Sequence, residues 1–136
     1  MTKLHTMLLV CLCLLAASAV DAQSPGQRLS IDEAQKLVEA AIYPNKTNAE
    51  LDHSRDSDEA DFIVFEAVDP NPDHNGDMGF YAVNEWTGDV WTTAGSCSRL
   101  NSSKLINMLR NIRKRSKLSV SEFDMLRAKK PICDSD

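Results

Sequence analysis

From Ser30 onward the spacing of apolar residues changes along the chain, and each change marks an element. Ile31, Ala34, Leu37, Val38, Ala41 and Ile42 recur three and four residues apart with Asp32, Glu33, Lys36 and Glu39 between them, which predicts a helix with one apolar face. Ser30 stands three residues before Glu33, the spacing of a capping box that starts such a helix, and Pro44 ends it. Residues 45–61 are polar and acidic and read as a loop with a short edge strand near Leu51. Phe62 to Val68 is then a run of β-branched and aromatic residues, apolar on both faces, as in a strand covered on both sides.

Residues 80–83 form a second run of this kind. Between the two, residues 69–77 are rich in turn formers and carry two prolines and a glycine, so they predict the surface tip of a hairpin. Thr87-Gly88 marks a tight reversal into a third short strand at Val90, Trp91 and Thr92. Asn101, Ser102 and Ser103 offer a cap for a helix whose apolar positions are Leu105, Ile106, Leu109 and Ile112 and whose opposite face carries Lys104, Arg110, Arg113 and Lys114. Ser119 with Glu122 repeats the capping-box spacing before a last short helix with Val120, Phe123, Met125 and Leu126 as its apolar side and Pro131 beyond its end. The predicted fold is α+β: an N-terminal helix on a small three-stranded antiparallel sheet, followed by two C-terminal helices.

The start of the chain follows a different pattern. Lys3 gives a positive beginning, Met7 to Leu15 form an unbroken apolar core, and small residues follow at the spacing that signal peptidase reads, so residues 1–22 are expected to be a signal peptide. Ala17-Ser18-Ala19 and Val20-Asp21-Ala22 are both suitable cleavage sequences, and the second is preferred, leaving residues 23–136 as a single domain. Nine apolar residues are too few to cross a hydrocarbon layer that needs about 20. Neither Cys11 nor Cys13 follows the small residue of a lipoprotein cleavage site, and no later segment is apolar and long enough to be embedded in a membrane.

Cleavage at either position discards two of the four cysteines. In an oxidising compartment Cys97 and Cys133 most simply bond to each other, closing a loop of about 36 residues that is worth roughly 4 kcal/mol in chain entropy. The alternative is two free thiols. The net charge of −5 conceals a division. Residues 23–98 carry four basic and fifteen acidic residues, a net −11, whereas residues 99–136 carry ten basic and four acidic, a net +6. The halves can attract each other inside the fold, or present faces of opposite sign to partners.

The segment Gly79-Phe-Tyr-Ala-Val-Asn-Glu-Trp-Thr-Gly-Asp-Val-Trp91 resembles the strand–turn–strand end of PepSY-type domains, in which a tyrosine-bearing strand, an asparagine or aspartate, a Thr-Gly turn and an acidic-then-valine step recur. The helix from Ile31 to Ile42 fits the same layout, so the resemblance runs from about Ser30 to Trp91. It implies a non-catalytic module that binds or inhibits an enzyme, often a peptidase, outside the cytoplasm. The chain departs from that pattern in its cysteine pair and its two C-terminal helices. The tryptophan-ended sheet, Cys97 and the basic helix are also similar to small exported bacterial proteins.

Candidate chemistry adds little to catalysis and more to binding. There is no nucleophile elbow, no glycine-rich phosphate loop, and no histidine placed with a cysteine or serine in a recognisable pattern, so no enzymatic activity and no cofactor are expected. Carboxylates such as Glu66 and Asp89 could pair in space, as in any acidic protein. Asn71, Asp73, Asn75 and Asp77 alternate around Gly76 like a calcium loop, but Pro72 and the apolar residue at position twelve, Ala82, break the imitation; they are a weak calcium candidate, and His53 and His74 lack metal spacing. Trp91 reads as a cap on the core. Trp86, at the turn, is the better partner contact, together with the basic residues Arg110, Arg113 and Lys114. An exported acidic protein is a poor nucleic-acid binder. The expectation is a periplasmic or secreted protein that binds a protein partner, namely an inhibitor or immunity protein acting on a secreted hydrolase such as a peptidoglycan-degrading toxin or a peptidase. The competing class is an envelope protein that recognises calcium or an anionic cell-wall polymer.

Overall fold

A computed structural model describes residues 26–42, 49–53, 55–71, 73, 77–95 and 97–133. The expected signal peptide and both cleavage sites, Pro44, Asn75 and the side chain of Asp77 lie outside the described residues. The elements are α1 (Ile31–Ile42), β1 (Glu50–His53), β2 (Phe62–Val68), β3 (Asp77–Asn84), β4 (Val90–Thr92), β5 (Ser98–Arg99), α2 (Ser103–Arg115) and α3 (Val120–Arg127), with a single 3-10 turn at Arg55–Ser57.

The fold is α+β, and its antiparallel sheet has five strands in the order β1-β2-β3-β4-β5 where three were expected. The two additional strands sit at the edges. β1 pairs with β2 from Glu50↔Val68 to His53↔Phe65, which confirms the strand near Leu51, and β5 adds two residues to β4 through Trp91↔Arg99 and Thr92↔Ser98. β1 alternates between exposed and half-buried residues over only four positions, and both residues of β5 are exposed, so neither gives a strong periodic signal. β3 also begins earlier than expected, at Asp77, since a bulge opposite Ala67 and Val68 lets Gly79, at φ +109°, carry the strand into the hairpin.

Both faces of β2 are covered, as its composition requires. On one side Ile63, Phe65, Ala67, Tyr81, Val83 and Val90 pack under α1 and α2 against Leu37, Val38, Leu105 and Ile112. Each of the Val, Leu, Ile and Phe side chains among them contributes about 1.5–3 kcal/mol when fully removed from water. On the other side Phe62, Val64, Ala82 and Trp91 form a smaller cluster closed by Cys97. α1 starts with the expected capping box: the Ser30 N–H donates to Glu33 Oε2 at 3.0 Å and the Glu33 N–H to Ser30 Oγ at 3.3 Å. α3 repeats it with Ser119 and Glu122. Ser102 caps α2 by accepting from the Leu105 N–H at 3.1 Å, and its hydroxyl donates to the Ala40 carbonyl at 2.8 Å, so one residue starts α2 and joins it to the end of α1.

α3 differs from its expected form. Of the four apolar residues assigned to its inner side only Phe123 is buried, while Val120 and Met125 are exposed. An eight-residue helix held mainly at its two ends has room for little more than one turn of contact. One of those ends is the Leu126 carbonyl, which accepts from Asn84 Nδ2 at 3.0 Å across 42 residues of sequence. Beyond α3 the chain is anchored along the second face of the sheet: Lys129 pairs with Asp61, the Ile132 N–H donates to Glu59 Oε2 at 2.7 Å, and Cys133 is bonded to Cys97 with the Cα atoms 5.7 Å apart.

The reversal between β3 and β4 is built around Asn84 and Gly88. The buried Asn84 Oδ1 accepts from the backbone N–H groups of Trp86 and Thr87, each at 3.0 Å, and the Gly88 N–H donates to the Asn84 carbonyl at 2.8 Å. Gly88 has φ +77°, and a Cβ there would stand 2.7 Å from Ile112 Cδ1 and 3.0 Å from Leu109 Cδ2. The glycine therefore permits both the turn and the approach of α2. Gly88→Ala is expected to lower stability by about 2–4 kcal/mol through strain and overpacking, and Asn84→Ala by about 2–4 kcal/mol through buried groups left unpaired; urea unfolding midpoints check both. Cys133→Ser is expected to lower the thermal midpoint by at least several degrees, and alkylation of the unreduced wild-type protein should label neither Cys97 nor Cys133.

Candidate functional site: an arginine-lined cleft

The reversal at Asn84–Asp89, the segment after β5, α2 and α3 enclose an open cleft of about 440 Å³. Thr87 and Asp89 form its floor. Leu100, Ile106, Leu109 and Phe123 supply apolar walls, and Arg99, Arg110, Arg113 and Arg127 bring four guanidinium groups to it. A second cavity, of about 240 Å³, lies between α1 and α2, where Glu33 and Arg115 form an ion pair across the helices and leave Lys36 as the one remaining charge of its lining.

The four arginines are held in different ways. Arg113 stacks over the Phe123 ring at 4.4 Å and donates to the Leu118 carbonyl at 3.0 Å, so the linker between α2 and α3 fixes it. Arg99 lies over the Trp91 ring at 4.9 Å and donates from Nη2 to the Arg127 carbonyl at 2.9 Å. Its Nε is 3.7 Å from Asp89 Oδ1, and the Arg127 Nε is 3.4 Å from Asp89 Oδ2. Arg110 is exposed, and its partner is the neutral Asn107 carboxamide, at 3.2 Å. Among the described residues no carboxylate lies within ion-pair distance of Arg110 or Arg113.

Asp89 is buried and takes one conventional hydrogen bond, from Thr87 Oγ1 to Oδ2 at 2.8 Å. Its Oδ1 accepts none. A buried carboxylate without its cations would be strongly disfavoured, so Asp89 orients Arg99 and Arg127 while one negative charge leaves the four positive charges in excess. The cleft can bind an anion that also has apolar surface to bury.

Of the residues singled out in the sequence, Arg110 and Arg113 meet at this cleft. Lys114 is exposed on the last turn of α2 and does not line it. Trp86 is not in the cleft either: its indole N–H donates to Asp61 Oδ1 at 3.0 Å and the Arg28 guanidinium lies 4.6 Å from its ring centre. Trp91 is buried, as expected of a core cap. In the hairpin loop the Asn71 N–H donates to Asp69 Oδ1 at 2.9 Å, and Asn71 Oδ1 accepts from the Asp73 N–H at 3.1 Å. Among the described residues no three His, Cys, Asp or Glu side chains converge on a metal-sized site. Sequence reasoning missed Arg99 and Arg127, and considered Asp89 only as a carboxylate that could pair with Glu66, which does not line the cleft. Arg127 was within reach, since it stands four residues after Phe123 and so shares its helix face.

The cluster around Trp86 is electrostatic rather than open. The Lys129 ammonium, and then the Trp86 indole, hold the Asp61 carboxyl below the usual carboxylate range. Burial pushes the neighbouring Glu85 carboxyl up, against the pull of Arg28, whose guanidinium is 2.8 Å away.

No family model matches the sequence, and no curated protein matches it. A solved structure that is similar in fold is a type VI secretion system effector–immunity complex from Pseudomonas protegens. The likeness has a TM-score of 0.59 at 19% identity and covers 74% of this chain and 87% of that one. At that identity the similarity is one of fold. Among the described residues no helix is long and apolar enough to cross a membrane.

Asp61 and Glu85 predict opposite effects of pH on stability. A lowered carboxyl stabilises the fold above its unfolded pKa, about 3.9, and that contribution is lost as pH falls through the folded value. A raised carboxyl weakens the fold above its unfolded pKa, and protonation relieves the penalty. Between about pH 7 and pH 2, Asp61→Asn should therefore flatten the loss of stability on acidification, which falls below about pH 5, and Glu85→Gln should remove the gain from protonation, which falls above about pH 4. Urea midpoints across that range check the pair; a change of the same sign in both would contradict the assignment.

Proposed function

We propose that this chain is an exported, non-catalytic binding protein of the immunity type, which neutralises a secreted hydrolase such as a peptidoglycan-degrading toxin or a peptidase. The observation that carries this reading is the cleft, where four arginines on a stiff frame face one carboxylate. An excess of fixed positive charge beside exposed apolar surface suits a protein partner with an acidic contact. The fold shared with a chain of an effector–immunity complex supports the same reading, as does the disulfide, which belongs to a protein working in the periplasm or outside the cell. The PepSY-like segment from Gly79 to Trp91 is the stretch that forms the reversal at the cleft floor, so the proposed kinship with enzyme-binding modules falls on the part that builds the site.

The four arginines also favour the second reading, an envelope protein that holds an anionic cell-wall polymer. The readings part on the target. The purified mature chain is expected to form a stoichiometric complex with a secreted cell-wall hydrolase or peptidase and to reduce its activity at least tenfold, and cells lacking the chain should become sensitive to neighbours that deliver the enzyme. Calorimetry showing tight binding to peptidoglycan fragments, with no hydrolase inhibited and no change in resistance, would move the assignment to the polymer-binding class.

A further inference from the structure

The cleft's occupant follows from how its charges and apolar walls are arranged. We infer that it takes an acidic loop of the partner protein, a carboxylate side chain seating between Arg99, Arg110 and Arg127 while an adjacent apolar side chain rests on Ile106, Leu109 and Phe123. This rests on the reading of the chain as an inhibitor and names the chemistry of its contact.

Three observations converge on that occupant. The first is unspent donor capacity. Asp89 holds Arg99 by charge at 3.7 Å, outside hydrogen-bond range, and its Oδ1 accepts nothing, so Asp89 positions the guanidinium without consuming its N–H groups. Arg110 has a neutral carboxamide as its partner. Guanidinium forks with free donors match the planar two-oxygen acceptor of a carboxylate.

The second is preorganisation. Arg99 is fixed by Trp91 and the Arg127 carbonyl, and Arg113 by Phe123 and the Leu118 carbonyl, before any partner arrives. Arg99 and Arg113 therefore have little side-chain freedom left to lose on binding, which favours a specific contact over a diffuse field. The third is the apolar wall. Ile106 is 43% exposed, and of the large apolar side chains left most exposed it is the one that lines the cleft. An inorganic anion would leave that wall wet; an acidic loop with an apolar neighbour covers it.

The role of Asp89 yields a further consequence. Its negative charge lies beneath the seat of the incoming carboxylate and opposes it, so removing the charge while keeping the Thr87 contact should strengthen binding. A purely structural Asp89 would give the reverse.

The test uses the mature chain and a blocked peptide, acetyl-Gly-Leu-Glu-Leu-Glu-Gly-amide, titrated at low and at physiological salt and followed by backbone amide shifts. Shifts should cluster at residues 87–89, 99–101, 106–110 and 123–127, and the Gln-for-Glu peptide should bind at least tenfold more weakly. Arg110→Gln should weaken the acidic peptide about five- to tenfold and Asp89→Asn should tighten it, each variant keeping the dispersed spectrum of a folded chain. Shifts centred elsewhere, equal binding of the two peptides, or a weaker grip by Asp89→Asn would overturn the inference. Displacement of the peptide by an equal concentration of inorganic phosphate would also overturn it, in favour of a simple anion site. A double variant, Arg110→Glu with Arg127→Glu, separates this proposal from the one it rests on. If the double variant still inhibits a hydrolase that the wild type inhibits, the acidic-loop contact falls and the inhibitor reading stands. If the peptide binds in the cleft while no hydrolase is inhibited, the inhibitor reading falls alone.

Discussion

One carboxamide organises the functional end of the molecule. The Asn84 side chain is buried at the end of β3; its oxygen accepts from the backbone N–H groups of Trp86 and Thr87, and its nitrogen donates to the Leu126 carbonyl near the end of α3. Those three bonds close the reversal, which forces Gly88 to its positive φ and leaves no room for a side chain beneath α2. They also set Thr87 and Asp89 at the floor of the cleft and fix the distance from that floor to the helix bearing Phe123 and Arg127. Buried amides with every donor and acceptor matched specify one arrangement, because a partial match costs more than none. The hydrophobic core stabilises the sheet. Asn84 decides how the C-terminal helices meet it.

The elements that could be read from the sequence are those whose signals are local. The two Ser-x-x-Glu capping boxes and the Ser102 cap carry their geometry within four residues, and α1, α2 and α3 start where those signals place them. The doubly apolar β2 likewise announces that both its faces are covered. β1 and β5 are edge strands whose existence depends on a neighbour, and five strands emerged where three were expected. Val120 and Met125 looked apolar and inward, yet α3 is held by its ends and leaves them in water. The cleft was half legible: Arg110 and Arg113 lie on one helix face, whereas Arg99 is placed by the pairing of β5 with β4 and Arg127 by the Asn84 contact at the end of α3. Trp86 looked available because it stands at a turn, but the ion pairs of Arg28, Asp61 and Lys129 enclose it.

The charge division of the chain resolves into two populations. Arg99, Arg115, Arg127 and Lys129 turn inward to acidic residues of the first half, at Asp89, Glu33 and Asp61, and so act as ties between distant segments. The more open of these pairs, at Glu33 and Asp61, are worth little singly, about 0–1 kcal/mol each. The value of these ties is positional, since those of Arg127 and Lys129 bring the end of α3 and the following tail against the sheet. Arg110 and Arg113 remain without acidic partners among the described residues, while Arg99 and Arg127 both tie segments together and line the cleft. Attraction within the fold and presentation to a partner thus overlap at Arg99 and Arg127.

The bond between Cys97 and Cys133 joins positions 36 residues apart, and everything between them, α2 and α3 included, lies within one covalent ring. Three of the four cleft arginines are on those helices and the fourth, Arg99, is two residues inside the ring, so the whole positive wall of the site is circular in the chemical sense. A single backbone cut anywhere in that ring leaves both pieces attached to the molecule. For a protein proposed to meet peptidases, this turns a bond that holds the tail in place into insurance against being severed by its own target.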